Sequence, residues 1–140
     1  MILLDTNVIS ELMRADPARV VLDWLGQQDA SALFISAVTE AELRTGVAIL
    51  PEGQRRDRLQ LAIDAMIDQD FQSRVVSFDS LAAKAYAEIA AQRRAAGHPI
   101  AEADCQIAAI AHASDAPIAT RNVKDFDGCG VTVINPWAVG

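Results

Sequence analysis

Five short apolar runs alternate with stretches of helical period along this chain, and that alternation restricts the fold more than any other feature. The runs are Ile2-Leu3-Leu4, Leu33-Phe34-Ile35, Val75-Val76-Ser77-Phe78, Pro117-Ile118-Ala119-Thr120 and Val131-Thr132-Val133-Ile134. Each is too short for a helix, and each reads as a strand buried on both faces. Strands separated by helices pair in parallel, because every return crossing passes over a face of the sheet. The expectation is an α/β fold: a central parallel sheet of about five strands, flanked by helices on both faces. A chain of 140 residues suits one domain, 1–140, with no internal repeat or linker.

The helices carry their own punctuation. Asp16-Pro17 reads as an N-cap and first helical residue, followed by inward Val20, Val21, Trp24 and Leu25 and a stop at Gly26. Ser36 can cap the next helix, with Val38, Ala41, Thr45 and Ile49 on its apolar stripe and Glu42 beside them. After the loop Leu50-Pro51-Glu52-Gly53, a third helix turns Leu59, Ala62, Ile63, Met66 and Ile67 inward. Asp79 or Ser80 caps a helix carrying Leu81, Ala82, Ala85, Tyr86 and Ile89, and Gly97 ends it. Asp104 opens an Ala-rich helix through Ile107, Ile110 and Ala111.

Open parallel sheets bind ligands beyond the carboxyl ends of their strands. Asp5 stands at the end of the first strand, Glu42 lies two turns into the helix after the second, and Asn122 and Asp125 follow the fourth. Together with Asp104 these acids sit beside apolar residues. A carboxylate on apolar ground is costly unless paired or metal-bound. Several brought together repel and hold raised pKa values unless a cation neutralises them. Oxygen ligands of this kind suit Mg²⁺ or Mn²⁺.

Each acid also has a plainer reading. Asp5-Thr6-Asn7 could cap the next helix, Glu42 could be a solvated helix residue, and Asp104 could complement a helix dipole. Thr120, Asn122 and Asp125 suit an ordinary turn, with Phe126 as a core anchor. Asn7 stands where aspartyl-phosphate phosphatases need a second Asp, and the chain has neither a Gly-rich phosphate loop nor a GxSxG elbow. His98 and His112 share no ligand spacing, so zinc is not indicated. Cys105 and Cys129 read as buried thiols, and the Arg55-Arg56-Arg58 and Arg93-Arg94 runs as solvated faces.

The formal charge of −7 argues against a protein that coats nucleic acid by broad electrostatics, though not against an enzyme that touches one phosphate through a metal. No leader and no run of transmembrane length are visible, so a cytoplasmic protein is expected.

Four motifs in this order resemble the PIN-domain ribonucleases, specifically VapC- or FitB-type toxins of bacterial toxin–antitoxin pairs. They are Met1-Ile2-Leu3-Leu4-Asp5-Thr6-Asn7, Ala41-Glu42-Leu43-Arg44-Thr45-Gly46, Ala103-Asp104 with Ile107-Ala108, and Thr120-Arg121-Asn122-Val123-Lys124-Asp125-Phe126. The resemblance implies a PIN-like fold and a Mg²⁺- or Mn²⁺-dependent endoribonuclease acting on RNA. It also implies a homodimer and an antitoxin partner with a DNA-binding domain. It assigns metal binding to Asp5, Asp104 and Glu42, and leaves the fourth position between Asn122 and Asp125. A PIN-fold binding module in a DNA-bound complex, with little nuclease activity, is the alternative.

Overall fold

The computed structural model describes residues 1–138. Val139 and Gly140, the end of the expected 1–140 domain, lie outside the described residues. Five parallel strands form one sheet in the order β3-β2-β1-β4-β5. They are β1 (Ile2–Leu4), β2 (Leu33–Ser36), β3 (Val75–Val76), β4 (Ile118–Ala119) and β5 (Val133–Ile134). Six α-helices cover its faces: α1 (Thr6–Leu12), α2 (Arg19–Gly26), α3 (Ala37–Ala48), α4 (Gln54–Ala65), α5 (Ser80–Ala95) and α6 (Glu102–Ala113). Three of the strands are only two residues long, shorter than their apolar runs.

β1 sits at the centre, with Leu3 opposite Phe34 of β2 and Ile118 of β4. Successive strand residues face opposite sides. Leu3 and Ile118 therefore join a cluster with Ala82, Ala85 and Ile89 of α5 and Ile107 and Ile110 of α6. Leu4 and Ala119 join the other, with Val8 and Ile9 of α1, Val21 and Trp24 of α2, Leu43 and Val47 of α3 and Ile63 of α4. The chain builds outward from β1 in one direction through β2 and β3 and in the other through β4 and β5. That reversal leaves a crevice at the carboxyl ends of β1 and β4.

Several expected boundaries hold. Ser36 Oγ accepts the Thr39 N–H at 3.0 Å, and Asp79 Oδ1 accepts the Ala82 N–H at 2.9 Å. Gly97, at φ +78°, turns the chain off α5 as only glycine does without strain.

Others do not. α2 begins at Arg19, with Ala18 as its cap, and not at Asp16-Pro17. The reason is Glu11, whose Oε2 takes the Ala18 N–H at 2.9 Å, so the acid that serves the helix start comes from α1. α6 begins at Glu102, two residues before Asp104. The inward stripe of α3 is Thr39, Leu43 and Val47, while Ala41 and Thr45 are exposed and Ile49 is 78% exposed. Ala62 and Leu81 also face solvent. Arg93 is no solvated bystander: its guanidinium donates to the carbonyls of His98, Asp125 and Asp127 at 2.7–2.9 Å and pins the 123–129 turn to α5. Among the described residues no helix is long and apolar enough to cross a membrane.

Candidate active site

Asp5 follows directly on β1 and is 5% exposed. Its backbone is extended, and its Oδ1 accepts the Thr6 N–H at 2.8 Å, so it does cap α1. The other oxygen remains for a second purpose. Oδ2 accepts the Thr120 hydroxyl at 2.8 Å and the Asn7 amide at 3.2 Å. Thr120 directly follows β4, so the carboxyl ends of β1 and β4 are joined through this carboxylate. The Asn7 amide also donates to Thr120 Oγ1 at 3.1 Å, and Asn7 Oδ1 accepts the Arg121 N–H at 3.2 Å. The Asn122 N–H donates to Thr120 Oγ1 at 3.0 Å.

Glu42 reaches the same cleft from the exposed side of α3. Thr6 Oγ1 donates to Glu42 Oε1 at 2.7 Å and lies 3.0 Å from Thr39 Oγ1, which in turn is 3.3 Å from Ser36 Oγ. A carboxylate can only accept, so the proton order along this chain is set: Ser36 to Thr39, Thr39 to Thr6, Thr6 to Glu42. Linked hydroxyls polarise one another, and three small side chains thereby orient an acid that burial does not hold.

Asp5, Thr6, Asn7, Glu42, Asp104 and Asn122 line one cleft of about 460 Å³. Asp125 stands beside it on the short 3-10 turn Val123–Phe126 and acts on the site through its charge. Burial is the first cause that raises the Asp5 pKa; Thr120 and Thr6 oppose it by hydrogen bonding, and the charges of Glu42 and Asp125 add to it. Asp104 is pushed up to about 6, first by burial and then by the charges of Asp5, Asp125 and Glu42, with Arg93 opposing. Among the described residues no ion pair reaches Asp5, Glu42, Asp104 or Asp125. The acids are gathered, mutually repelling and left without cationic partners.

Among the described residues no three His, Cys, Asp or Glu side chains are gathered tightly enough to hold an ion by themselves. Mg²⁺ does not need that. It binds through one or two carboxylates and keeps several waters. Asp5 and Asp104 offer oxygen donors whose charge is unsatisfied, and the donor set fits such an ion.

Ser10, Glu11, Arg14 and Trp137 also line the cleft and carry no sequence reading, and Arg121 stands in the Thr120–Phe126 motif without an assigned role. Glu11 is buried, and its pKa is lowered, chiefly by the Ala18 N–H and then by Arg14. Its signal was an acid on the apolar face of α1 beside Val8 and Ile9.

The PIN domain family model matches residues 2–128. The chain belongs to the PIN-domain family. It is 48% identical to the plasmid stability protein StbB of Pseudomonas syringae pv. tomato, over 98% of this chain and 99% of that protein. It is 44% identical to the VapC ribonuclease Y4jK of Sinorhizobium fredii, covering 98% of each. Toxin FitB of Neisseria gonorrhoeae is 41% identical over 98% of this chain and 99% of its own. Among solved structures, FitAB bound to the IR36 DNA fragment superposes with a TM-score of 0.94 at 39% identity, over 100% of this chain and 98% of that one.

Proposed function

We propose that this protein is the toxin of a toxin–antitoxin pair and a Mg²⁺- or Mn²⁺-dependent endoribonuclease. The observation that carries the reading is the convergence of Asp5, Glu42 and Asp104 on one cleft at the carboxyl edge of the sheet, with no ion pair to any of them among the described residues. The names of the relatives support it, VapC ribonuclease Y4jK and Toxin FitB above all.

Asp5 and Asp104, with Glu42 nearby, would hold a divalent cation, which when bound would supply Lewis-acid chemistry toward a phosphodiester and water. The chain's own residues do the rest. Thr120 and Asn7 fix the Asp5 carboxylate without neutralising it, because both donors are uncharged. Asp104, at about 6, is ionised at neutral pH and available as a ligand. Glu42, oriented by Thr6, stands over the open side of the cleft, where it can hold a second cation or accept a proton from attacking water. Asn122 offers an uncharged oxygen, and Asp125 adds negative charge.

The partner of this reading is an antitoxin with a DNA-binding domain, as FitAB on its DNA fragment suggests. A larger apolar groove of about 1000 Å³ runs between α1, α3 and α4, with Leu43, Val47, Leu59 and Ile63 in its lining and Arg55 and Arg58 at hand. Ser10 and Arg14 border both this groove and the acid cleft. A partner segment seated in the groove would thus reach the acids. A terminal Arg or Lys on it would compete with the cation, and Arg would pair with a carboxylate bidentately. The protein acts in the cytoplasm as a homodimer in this reading.

The test is cleavage of single-stranded RNA by the purified protein with Mg²⁺ or Mn²⁺, abolished by EDTA and by Asp5→Asn. Cleavage that persists in excess chelator would overturn the metal mechanism. No cleavage by the wild type with any divalent ion, alongside tight binding to its partner and operator DNA, would favour the binding-module alternative.

A further inference from the structure

A nuclease with a charge of −7 and an acidic cleft floor must still attract a polyanion. Among the described residues only two basic side chains line that cleft, Arg14 and Arg121. Arg14 is held by the buried Glu11 carboxylate at 3.3 Å. Arg121 forms no ion pair among the described residues, although its charge reaches Glu11. Its guanidinium carbon instead lies 5.2 Å from the centre of the Trp137 ring. The pair is positioned from both ends. The Arg121 N–H is bonded to Asn7 Oδ1, so its main chain belongs to the network that holds Asp5. The Trp137 N–H is bonded to Asn135 Oδ1 at 3.0 Å, and the ring, half-buried, packs against the apolar cluster while also lining the cleft.

Trp137 thus serves the core with part of its ring and leaves the rest to the cleft. Trp137 is met by a cation at the open cleft. An arginine over an indole presents two flat surfaces and one positive charge, the combination that binds single-stranded nucleic acid without base-specific hydrogen bonds. It lies beside the acids and not among them, where a nucleotide next to the scissile phosphate would come to rest.

We infer that Arg121 and Trp137 form a seat for single-stranded RNA, with the guanidinium on a phosphate flanking the scissile one and a neighbouring base stacked on the Trp137–Arg121 pair. The inference rests on the ribonuclease reading above and adds to it the residues that hold the substrate.

The experiment uses the full chain with a single-stranded RNA oligonucleotide and, in parallel, inorganic polyphosphate, which has phosphates but no bases. RNA affinity is measured in EDTA, and cleavage with Mn²⁺. Trp137→Leu should weaken RNA binding and raise KM by roughly 5- to 150-fold, the range for losing one stacked base, while kcat changes less than about threefold and polyphosphate affinity stays put. Trp137→Phe should retain most of the RNA affinity. Arg121→Gln should weaken both ligands and reduce the slope of log affinity against log salt by about 0.7, the share of one phosphate contact on a single strand. Equal losses on RNA and polyphosphate for Trp137→Leu would mean that the ring only anchors the fold, and the seat is wrong. Unchanged KM in both variants, in a wild type that does cut RNA, overturns the seat and leaves the nuclease standing. A wild type that neither binds nor cuts RNA overturns both.

Discussion

Replacing Asp104 by Asn should make the metal-free protein more stable while removing its activity. Asp104 is partly buried at the start of α6, accepts no hydrogen bond among the described residues, and faces the charges of Asp5, Asp125 and Glu42. Its carboxyl is raised from 3.8 to about 6. A shift of that size destabilises the folded state by at most about 3 kcal/mol at neutral pH. Solvent screening at a half-open site reduces this to about 1–2 kcal/mol. The α6 dipole acts the other way, by about 0.3–1 kcal/mol for an acid in the first turn. Repulsion and burial therefore win by about 1 kcal/mol, which for a domain of this size raises the melting temperature by about 3–6 °C. The sign of the pH dependence follows. Between about 4 and 6 the folded protein binds more protons at this position than the unfolded chain, so wild-type stability falls as pH rises through that window. The destabilisation is fully present above about 6 and gone below 3.8, where both states are protonated. Thermal melts of the two proteins in EDTA at pH 8 and near pH 4 are the assay. The variant should melt higher at pH 8, and the difference should shrink toward zero at the acid end. Saturating Mn²⁺ should stabilise the wild type, by about 2.7 kcal/mol at a hundred times its dissociation constant, and the variant much less. A variant that melts lower than wild type at pH 8, or a difference that ignores pH, would refute the argument and give Asp104 a structural partner.

Thr6→Val keeps the shape of the side chain but cuts the hydroxyl chain to Glu42; activity should fall by about 10- to 100-fold and Thr6→Ser should restore it, both measured as single-turnover cleavage with melting curves as control. Arg93→Met should free the His98 carbonyl and two carbonyls of the 123–129 turn, Asp125 and Asp127, and destabilise the protein by about 1.5–3 kcal/mol, read by urea unfolding, with faster amide exchange confined first to that turn. Asp125→Ala should weaken Mn²⁺ binding by about fivefold, worth about 1 kcal/mol for one nearby charge in high dielectric, and more than Asn122→Ala does. The opposite order in a calorimetric titration would give the fourth position to Asn122.

Local chemistry made much of this fold readable. Ser36, Asp79 and Gly97 act on the residues next to them, so caps and stops read from sequence were found in place. The strand order was not readable, because nothing in a three-residue run says that β1 lies between β2 and β4. The stripe on α3 was misassigned for a similar reason. Val38, Ala41, Thr45 and Ile49 have helical spacing, and so do Thr39, Leu43 and Val47. The second set faces inward because the fold can satisfy a buried Thr39 hydroxyl through Ser36 and Thr6, and Thr6 comes from a segment 33 residues away. Glu11 has no role in the sequence reading, and Arg93 reads there as a solvated face, because each serves backbone groups well beyond its own turn, seven residues on for Glu11 and 32 to 34 for two of Arg93's carbonyls.

The acids themselves stood out because their two readings are compatible, not rival. Asp5 is a helix cap through Oδ1 and a site residue through Oδ2. The difference from Glu11 lies in the partner chosen. Glu11, which serves the fold, is given a cation in Arg14 and a lowered pKa. Asp5, at the same 5% exposure, is given only neutral donors and a raised one. Neutral donors fix direction and leave the charge uncompensated, whereas an arginine would fix direction and cancel it. The same division runs through the cleft: hydroxyls and an amide hold Asp5 and Glu42, while Arg14 and Arg121 line it without an ion pair to Asp5, Glu42 or Asp104. At neutral pH the uncompensated charge works against the fold, and a cation supplied from solution, or a basic side chain from a partner, would relieve it. One electrostatic strain would thereby account both for the proposed metal dependence and for the kind of inhibitor that would displace the metal.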